Sequence, residues 1–472
     1  MSDNKENAPK SENKGEGREG NNRNRNRNRN RNRNKSRKPK EDGGQDSKEP
    51  RENQVAAKKE GEGAPEEKGR NKNRNRNRNR NKQKTPAKDV KATPVTEEEA
   101  GLLREQADLF NDDVQRSEAQ DAQLPVFEKP TIGITCGDLN GIGLEVIIKT
   151  LENKELLDLC TPVVFASSKV ASYHKNALNN KEFNFFICDD IDSIKDKKAN
   201  LVNVWDDNVE LSLGSPTDVS GLYALKSIDA AIEAAKAGMI DAIVTAPINK
   251  HNIAASVEGF SGHTGYLAEA FGDEVLMILA SQQLKVATVT GHVPVSKIAE
   301  TLTEEKITAS IELLAKSLKR DFGCVKPTIA VLGLNPHAGE MGTIGSEEAE
   351  IIKPAIEKAD VKGAIVKGPY PADGFFGQGY DQKFDAVLGM YHDQVLVPFK
   401  ALAMGSGTNY TSGLTIVRTS PDHGTAMHLA GKNKADESSF RTSLFAAIDI
   451  VNSRKVYDEI TANPLKKQKE KH

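Results

Sequence analysis

An α/β fold with a largely parallel sheet is predicted for residues 129 to 465, and two observations predict it. Short apolar runs alternate with longer segments of helical period. Several of those runs end in loops that carry glycine or histidine, as strands do where a parallel sheet hands over to its next connection. The first strand is PTIGITCGD, and GLEVIIKTLENKELL after it is helical. TPVVFAS and NFFICDD are strands. SGLYALKSIDAAIEAAKAG is an amphipathic helix feeding the strand and loop MIDAIVTAPINK. EVLMILAS, LKVATVTGH, PTIAVLGLNPH and FDAVLGMYHDQ are further strand-then-loop units, and TEEKITASIELLAKSLKRDFG is a helix among them. NYTSGLTIVR reads as one more strand and TSPDHGTA as a glycine-containing loop. Gly137, Gly141 and Gly143 in TCGDLNGIGLEV lack the G-x-G-x-x-G spacing, so no dinucleotide fingerprint is read there.

Ahead of this region the chain has another character. Residues 1 to 88 carry 28 Lys+Arg against 14 Asp+Glu, a net +14, while the remainder carries 38 against 54, a net −16. Residues 1–95 hold almost no apolar side chains and two arrays, RNRNRNRNRNRN and RNKNRNRNRNRNK. Such sequence buries too little surface to offset its ordering entropy, so a disordered tail is expected. Its guanidinium groups suit weak RNA association, or the tail is solvated with no defined partner; no aromatic residue interleaves to stack on bases. Residues 96–128 read as a helical linker, with Thr96 as cap and Glu97 to Glu99 at its positive end. Four cysteines without a CxxC pair argue against a thiolate metal cluster or a disulfide framework. No apolar signal region or bilayer-length run is read, and a cytoplasmic protein is expected.

Three strand-like runs end in histidine: His292, His337 and His392. One histidine in that position is usually a hydrogen-bonded loop residue. Three at equivalent strand ends suit a divalent metal with positions left open for substrate. His263 and Thr264 precede a helix, where they either cap it or hold an anionic group. Lys400, Asn409 and Arg418 follow His392, and together they suit a phosphate- or carboxylate-bearing ligand.

The segments TCGDLNGIG, VTAPINK, GHTGYLAE, GLNPHAGEMGTIGSEE, GPYPAD, YHDQVLVPFK and RTSPDHGTAMHLAGKNKAD resemble the PdxA family, the 4-hydroxythreonine-4-phosphate dehydrogenases of vitamin B6 biosynthesis. The resemblance covers residues 129 to about 455. It implies two interleaved α/β subdomains flanking a cleft, as in isocitrate and isopropylmalate dehydrogenases, and a homodimer with active sites at the interface. It implies metal ligation by His292, His337 and His392 and substrate binding by His263, Thr264, Lys400, Asn409 and Arg418. NAD or NADP and a divalent metal (Zn, Mg or Co) are the implied cofactors. The implied reaction oxidises 4-phosphohydroxy-L-threonine and releases carbon dioxide to give 3-amino-2-oxopropyl phosphate. Asp373 and Asp393 are candidates to orient the histidines, and Asp373 and Lys250 are candidates for proton transfer. Gly265 stands where members often have Glu, Val395 follows YHDQ where many have Gly, and TCGDLNG replaces a TPGEPAG type of sequence. These departures leave a phosphorylated four-carbon sugar acid open as the substrate.

Overall fold

The computed structural model describes residues 128–463 except 255, 258 and 404. The tail and linker read over residues 1–127, and the stretch beyond residue 463, lie outside the described residues. Among the described residues, twelve strands form one sheet. In chain order they are β1 (Thr131–Thr135), β2 (Thr161–Ala166), β3 (Phe186–Cys188), β4 (Asn200–Asn203), β5 (Ala242–Thr245), β6 (Leu276–Ala280), β7 (Lys285–Thr288), β8 (Thr328–Leu332), β9 (Ile365–Tyr370), β10 (Ala386–Gly389), β11 (Thr408–Ser412) and β12 (Val417–Pro421). Their order across the sheet is β3-β4-β2-β1-β5-β12-β11-β6-β7-β10-β8-β9. Pairing is parallel except that β11 runs antiparallel to β12 and β6, and β6 antiparallel to β7. The chain builds one half of the sheet with β1 to β5 and the other with β6 to β10. It then returns through β11 to β12, which pairs in parallel with β5.

The largely parallel α/β sheet is as expected, with local differences. NYTSGLTIVR is two strands, because Gly413 turns the chain at φ 94°, a conformation open to glycine alone at low cost. β4 and β9 were not anticipated. β4 is a short run in polar surroundings, and β9 contains a Gly-Pro pair that masks a strand pattern. The helix Ser438–Ala462 was also missed. Phe440, Leu444, Ala447 and Val451 face the core, yet Val456 and Ile460 further along are exposed, so no clean apolar stripe marks it.

Strand alternation divides the core in an informative way. Ile134 of β1, Val164 of β2, Val244 of β5, Tyr410 of β11, Leu388 of β10 and Val331 of β8 all join one continuous apolar cluster. That face is sealed across the whole sheet by the helices Gly143–Leu151, Glu304–Arg320 and Ser438–Ala462. The opposite face carries two separate clusters. One holds Phe165, Ile228 and Ile243, and the other holds Leu279, Val286 and Phe399. Between them the sheet is left open, and the cleft described below lies there.

The returning strands are locked from the sealed side. Asp321 accepts from Tyr410 Oη at 2.6 Å and from Arg454 Nε at 2.8 Å, and Arg454 also donates to Tyr410 Oη and to the carbonyls of Leu414 and Thr415. All three side chains are buried. Asp321→Ala should lower unfolding free energy by about 3–5 kcal/mol, because it strands a buried guanidinium. Chemical denaturation checks this, and a loss below about 1 kcal/mol would mean the network does not hold the hairpin.

Candidate active site

The cleft has a volume of about 490 Å³, and its floor is laid by alternate residues of the central strands. Val417 of β12 and Tyr410 of β11 point into the sealed core, so their neighbours Arg418 and Asn409 face the cleft. Arg418 is only 2% exposed. Its Nη2 donates to Thr245 Oγ1 at 2.7 Å and its Nη1 to Thr411 Oγ1 at 3.0 Å and Thr264 Oγ1 at 3.5 Å, while Nε has no partner. Among the described residues no carboxylate pairs with it. Burial lowers its pKa to about 9, which still leaves it charged at neutral pH. A buried cation served only by hydroxyls is strongly favourable for an arriving anion.

One wall is the start of the helix His263–Phe271. His263 Nε2 is buried and unpartnered, and burial together with Arg418 and Lys250 holds this imidazole well below the usual histidine pKa. Thr264 lies beside it in the first turn, where free backbone N–H groups favour anions. Lys250 begins the short helix Lys250–Ala254, and its stem lies against Gly262, where a Cβ would come within 2.7 Å of Cε. That helix is fixed by Asn252, which donates to the buried Asp138 at 2.9 Å.

The other wall is the helix His392–Ala403. His392, Leu396 and Lys400 recur every fourth residue and all line the cleft, while Val395 and Phe399 pack into the core beneath. Lys400 Nζ lies 3.1 Å from Asp422 Oδ1. Asp393 accepts from His392 Nδ1 at 2.7 Å, which orients the ring. His292 faces this ring, with centroids 5.6 Å apart. Burial, then Lys250, then His392 lower the His292 pKa, so His292 favours the neutral, ligating form.

The three histidines leave the carboxyl ends of β7, β8 and β10, which are parallel neighbours in the sheet. Gln394 joins two of these ends, accepting from Met390 N at 2.7 Å and donating to Gly333 O at 2.6 Å. Thr290 joins the third by donating to Met390 O at 2.7 Å. His292 and His392 meet, but His337 does not line the cleft. It opens a left-handed turn, with positive φ at His337, Ala338, Glu340 and Met341, and its side chain is exposed. The buried Glu348 braces that turn by accepting from Leu334 N, Asn335 N and Asn335 Nδ2. Among the described residues of one chain, no three His, Cys, Asp or Glu side chains gather to hold a metal ion. Asp373 is exposed, also off the cleft, on the helix Ala372–Gly377 that packs against the His337 turn.

The family model "Pyridoxal phosphate biosynthetic protein PdxA" matches residues 158–447. The chain belongs to the PdxA family. It is 48% identical over 342 residues to the 4-hydroxythreonine-4-phosphate dehydrogenase of Bacteroides thetaiotaomicron, covering 72% of this chain and 94% of that protein. A protein of Oceanobacillus iheyensis, provisionally named a D-threonate 4-phosphate dehydrogenase, is 38% identical over 69% of this chain and 99% of its own length. The crystal structure of the 4-hydroxythreonine-4-phosphate dehydrogenase from Klebsiella pneumoniae superposes with a TM-score of 0.61 at 34% identity, covering 68% of this chain and 99% of that one.

The departures from the usual PdxA pattern resolve in physical terms. Val395 is fully buried in the core, so it does not touch the cleft. Gly265 leaves room for Ser261, whose Oγ a Cβ there would overlap. Asp138 of TCGDLNG is an internal brace to Asn252. Asp422, Ser310, Ser420 and Ser261 line the cleft without having been singled out in the sequence; Asp422 and Ser420 lie in the quoted RTSPDHGTA segment, beside Arg418.

Because the pKa values of His263 and His292 are both lowered, each binds fewer protons folded than unfolded below about pH 6.5. Their contribution to stability is therefore present above that pH and lost as pH falls from it through the lowered folded-state values. Nitrogen chemical shifts followed against pH should give both rings a midpoint below that of a free histidine. Midpoints at or above the free value would contradict the burial described here.

Proposed function

We propose that the chain oxidises 4-phosphohydroxy-L-threonine with NAD or NADP and releases carbon dioxide to give 3-amino-2-oxopropyl phosphate, acting in the cytoplasm. The observation that carries this reading is one cleft holding a carboxylate-free buried guanidinium near a pair of facing imidazoles. Arg418, Lys400, Asn409 and Thr264 bind the phosphoryl group. His263 offers Nε2–H to one of its oxygens. Asn409 Oδ1 is buried without a partner, and turning the amide presents Nδ2 in its place. His292 and His392 suit a divalent ion, His292 favouring its neutral form and His392 being oriented by Asp393. When bound, that ion would supply Lewis acidity at the substrate hydroxyl, and NAD or NADP would supply the hydride acceptor. Lys250 Nζ stands close enough to both His263 and His292 to depress their pKa values, and so can serve either end of the substrate. In this reading it steadies the developing alkoxide and returns a proton to the carbon that has lost carbon dioxide.

His337 enters from a second copy of the chain, carried by its braced left-handed turn, and Asp373 travels with it. Supporting this, Met341 and Ile344 on that turn, Val295 after His292, and Val397 and Leu402 on the His392 helix are exposed apolar side chains surrounding the histidines. His337→Ala and His392→Ala should each abolish turnover. Mixed after subunit exchange, they should regain about one quarter of wild-type activity, since a heterodimer of the two carries one intact site. No recovery from verified heterodimers would place all three ligands on one chain.

The substrate is tested by nicotinamide reduction with 4-phosphohydroxy-L-threonine beside 4-phospho-D-erythronate and D-threonate 4-phosphate. Turnover confined to the sugar acids would favour the second reading, which the Oceanobacillus relative supports. The Arg/Asn arrays are proposed as a weak RNA tether separate from catalysis. Removing residues 1–95 should leave turnover unchanged and lower RNA co-purification; unchanged RNA would make the tail a solvated segment only.

A further inference from the structure

Asp422 is the one carboxylate among the described residues that line the cleft. It lies four residues after Arg418, at the anion-binding end. Its main chain is fixed, since its N–H donates to Ser439 Oγ at 3.1 Å and Ser439 Oγ donates in turn to Gly407 O at 3.2 Å. Its carboxylate holds Lys400 Nζ at 3.1 Å, with the lysine 54% exposed and the aspartate 23%. The two cations at this end therefore differ in kind. Arg418 is immobile, buried in the sheet and held by three threonines. Lys400 sits on a flexible stem and already has a counter-charge.

We propose that Asp422 is a latch on Lys400, from which an entering phosphoryl group must draw the lysine away. The inference rests on the phosphorylated-substrate reading above. A phosphoryl dianion meets Arg418 first and recruits Lys400 second, and the cost of releasing Asp422 is subtracted from its affinity. The chemistry gives this tempering a purpose. Carbon dioxide leaves from the opposite end of the molecule, so substrate and product carry the same phosphoryl handle. Whatever affinity the handle has for the site is kept by the product. Binding energy equal in substrate and product does not lower the chemical barrier, and it slows release. Asp422 is thus a positioning residue acting through Lys400.

The test is a calorimetric titration of the full-length protein with inorganic phosphate. Asp422→Asn should bind phosphate about two- to fivefold more tightly, as expected for loss of a half-exposed ion pair. In a Lys400→Met background the same change should have no effect, because there is no lysine to release. In turnover, Asp422→Asn should lower KM and kcat together. Weaker or unchanged phosphate binding in Asp422→Asn would overturn the latch and leave Asp422 as a simple support for Lys400. A gain that persists in the Lys400→Met background would overturn it in favour of direct repulsion by the carboxylate. Failure of the wild-type protein to bind phosphate would instead overturn the anion site itself, and the latch with it.

Discussion

A guanidinium without a carboxylate, buried in the middle of a sheet, is the constraint around which the rest of this molecule is arranged. Arg418 lies on β12, between β11, joined to it by the turn at Gly413, and β5, which comes from a distant part of the chain. Thr245 of β5 and Thr411 of β11 supply hydroxyls from either side, and Thr264 supplies a third from the helix above. Hydroxyls bond both terminal nitrogens, leave Nε–H without a partner, and do not neutralise the charge. Buried charge of this kind is tolerable only where an anion comes and goes, so the sheet above it has to stay open.

The opening follows from an asymmetry between the two faces. One face carries a single core from end to end, which joins the two halves of the sheet through shared packing. The other face has two cores with a gap between them. The gap falls where the chain crosses back through β11 and β12, and the Tyr410–Asp321–Arg454 network secures that crossing from behind. The floor is therefore braced on the side away from the ligand, and the residues that face the ligand are free to be polar.

The histidines obey a different logic. Three adjacent parallel strands end together, and Gln394 and Thr290 tie those ends into one ledge. From that ledge two imidazoles turn inward and one turns outward. The outward turn is held by Glu348 against the ordinary preference of L-residues for negative φ. A conformation that costs energy and is braced by a buried carboxylate is a maintained feature, and it presents His337 and Met341 away from their own cleft.

The sequence by itself determined the alternation of strand and helix, the strand ends that carry His292, His337 and His392, and the polar residues at positions 263, 264, 400, 409 and 418. These are local patterns: a period of two or of 3.6, a glycine at a turn, a histidine after an apolar run. Even there, a local reading merged β11 with β12, because nothing nearby reveals that Gly413 reverses the chain. Only the tertiary structure decided which of these residues meet. That Arg418 has no carboxylate, that Asp422 holds Lys400, and that His337 turns away from His292 and His392 all depend on strand order. β12 lies between β5 and β11, and β10 between β7 and β8, and neither neighbourhood is encoded within any one segment. Side chains more than a hundred residues apart are brought together by long-range pairing and by the shared core beneath it, and such contacts leave no periodicity in the sequence to be read.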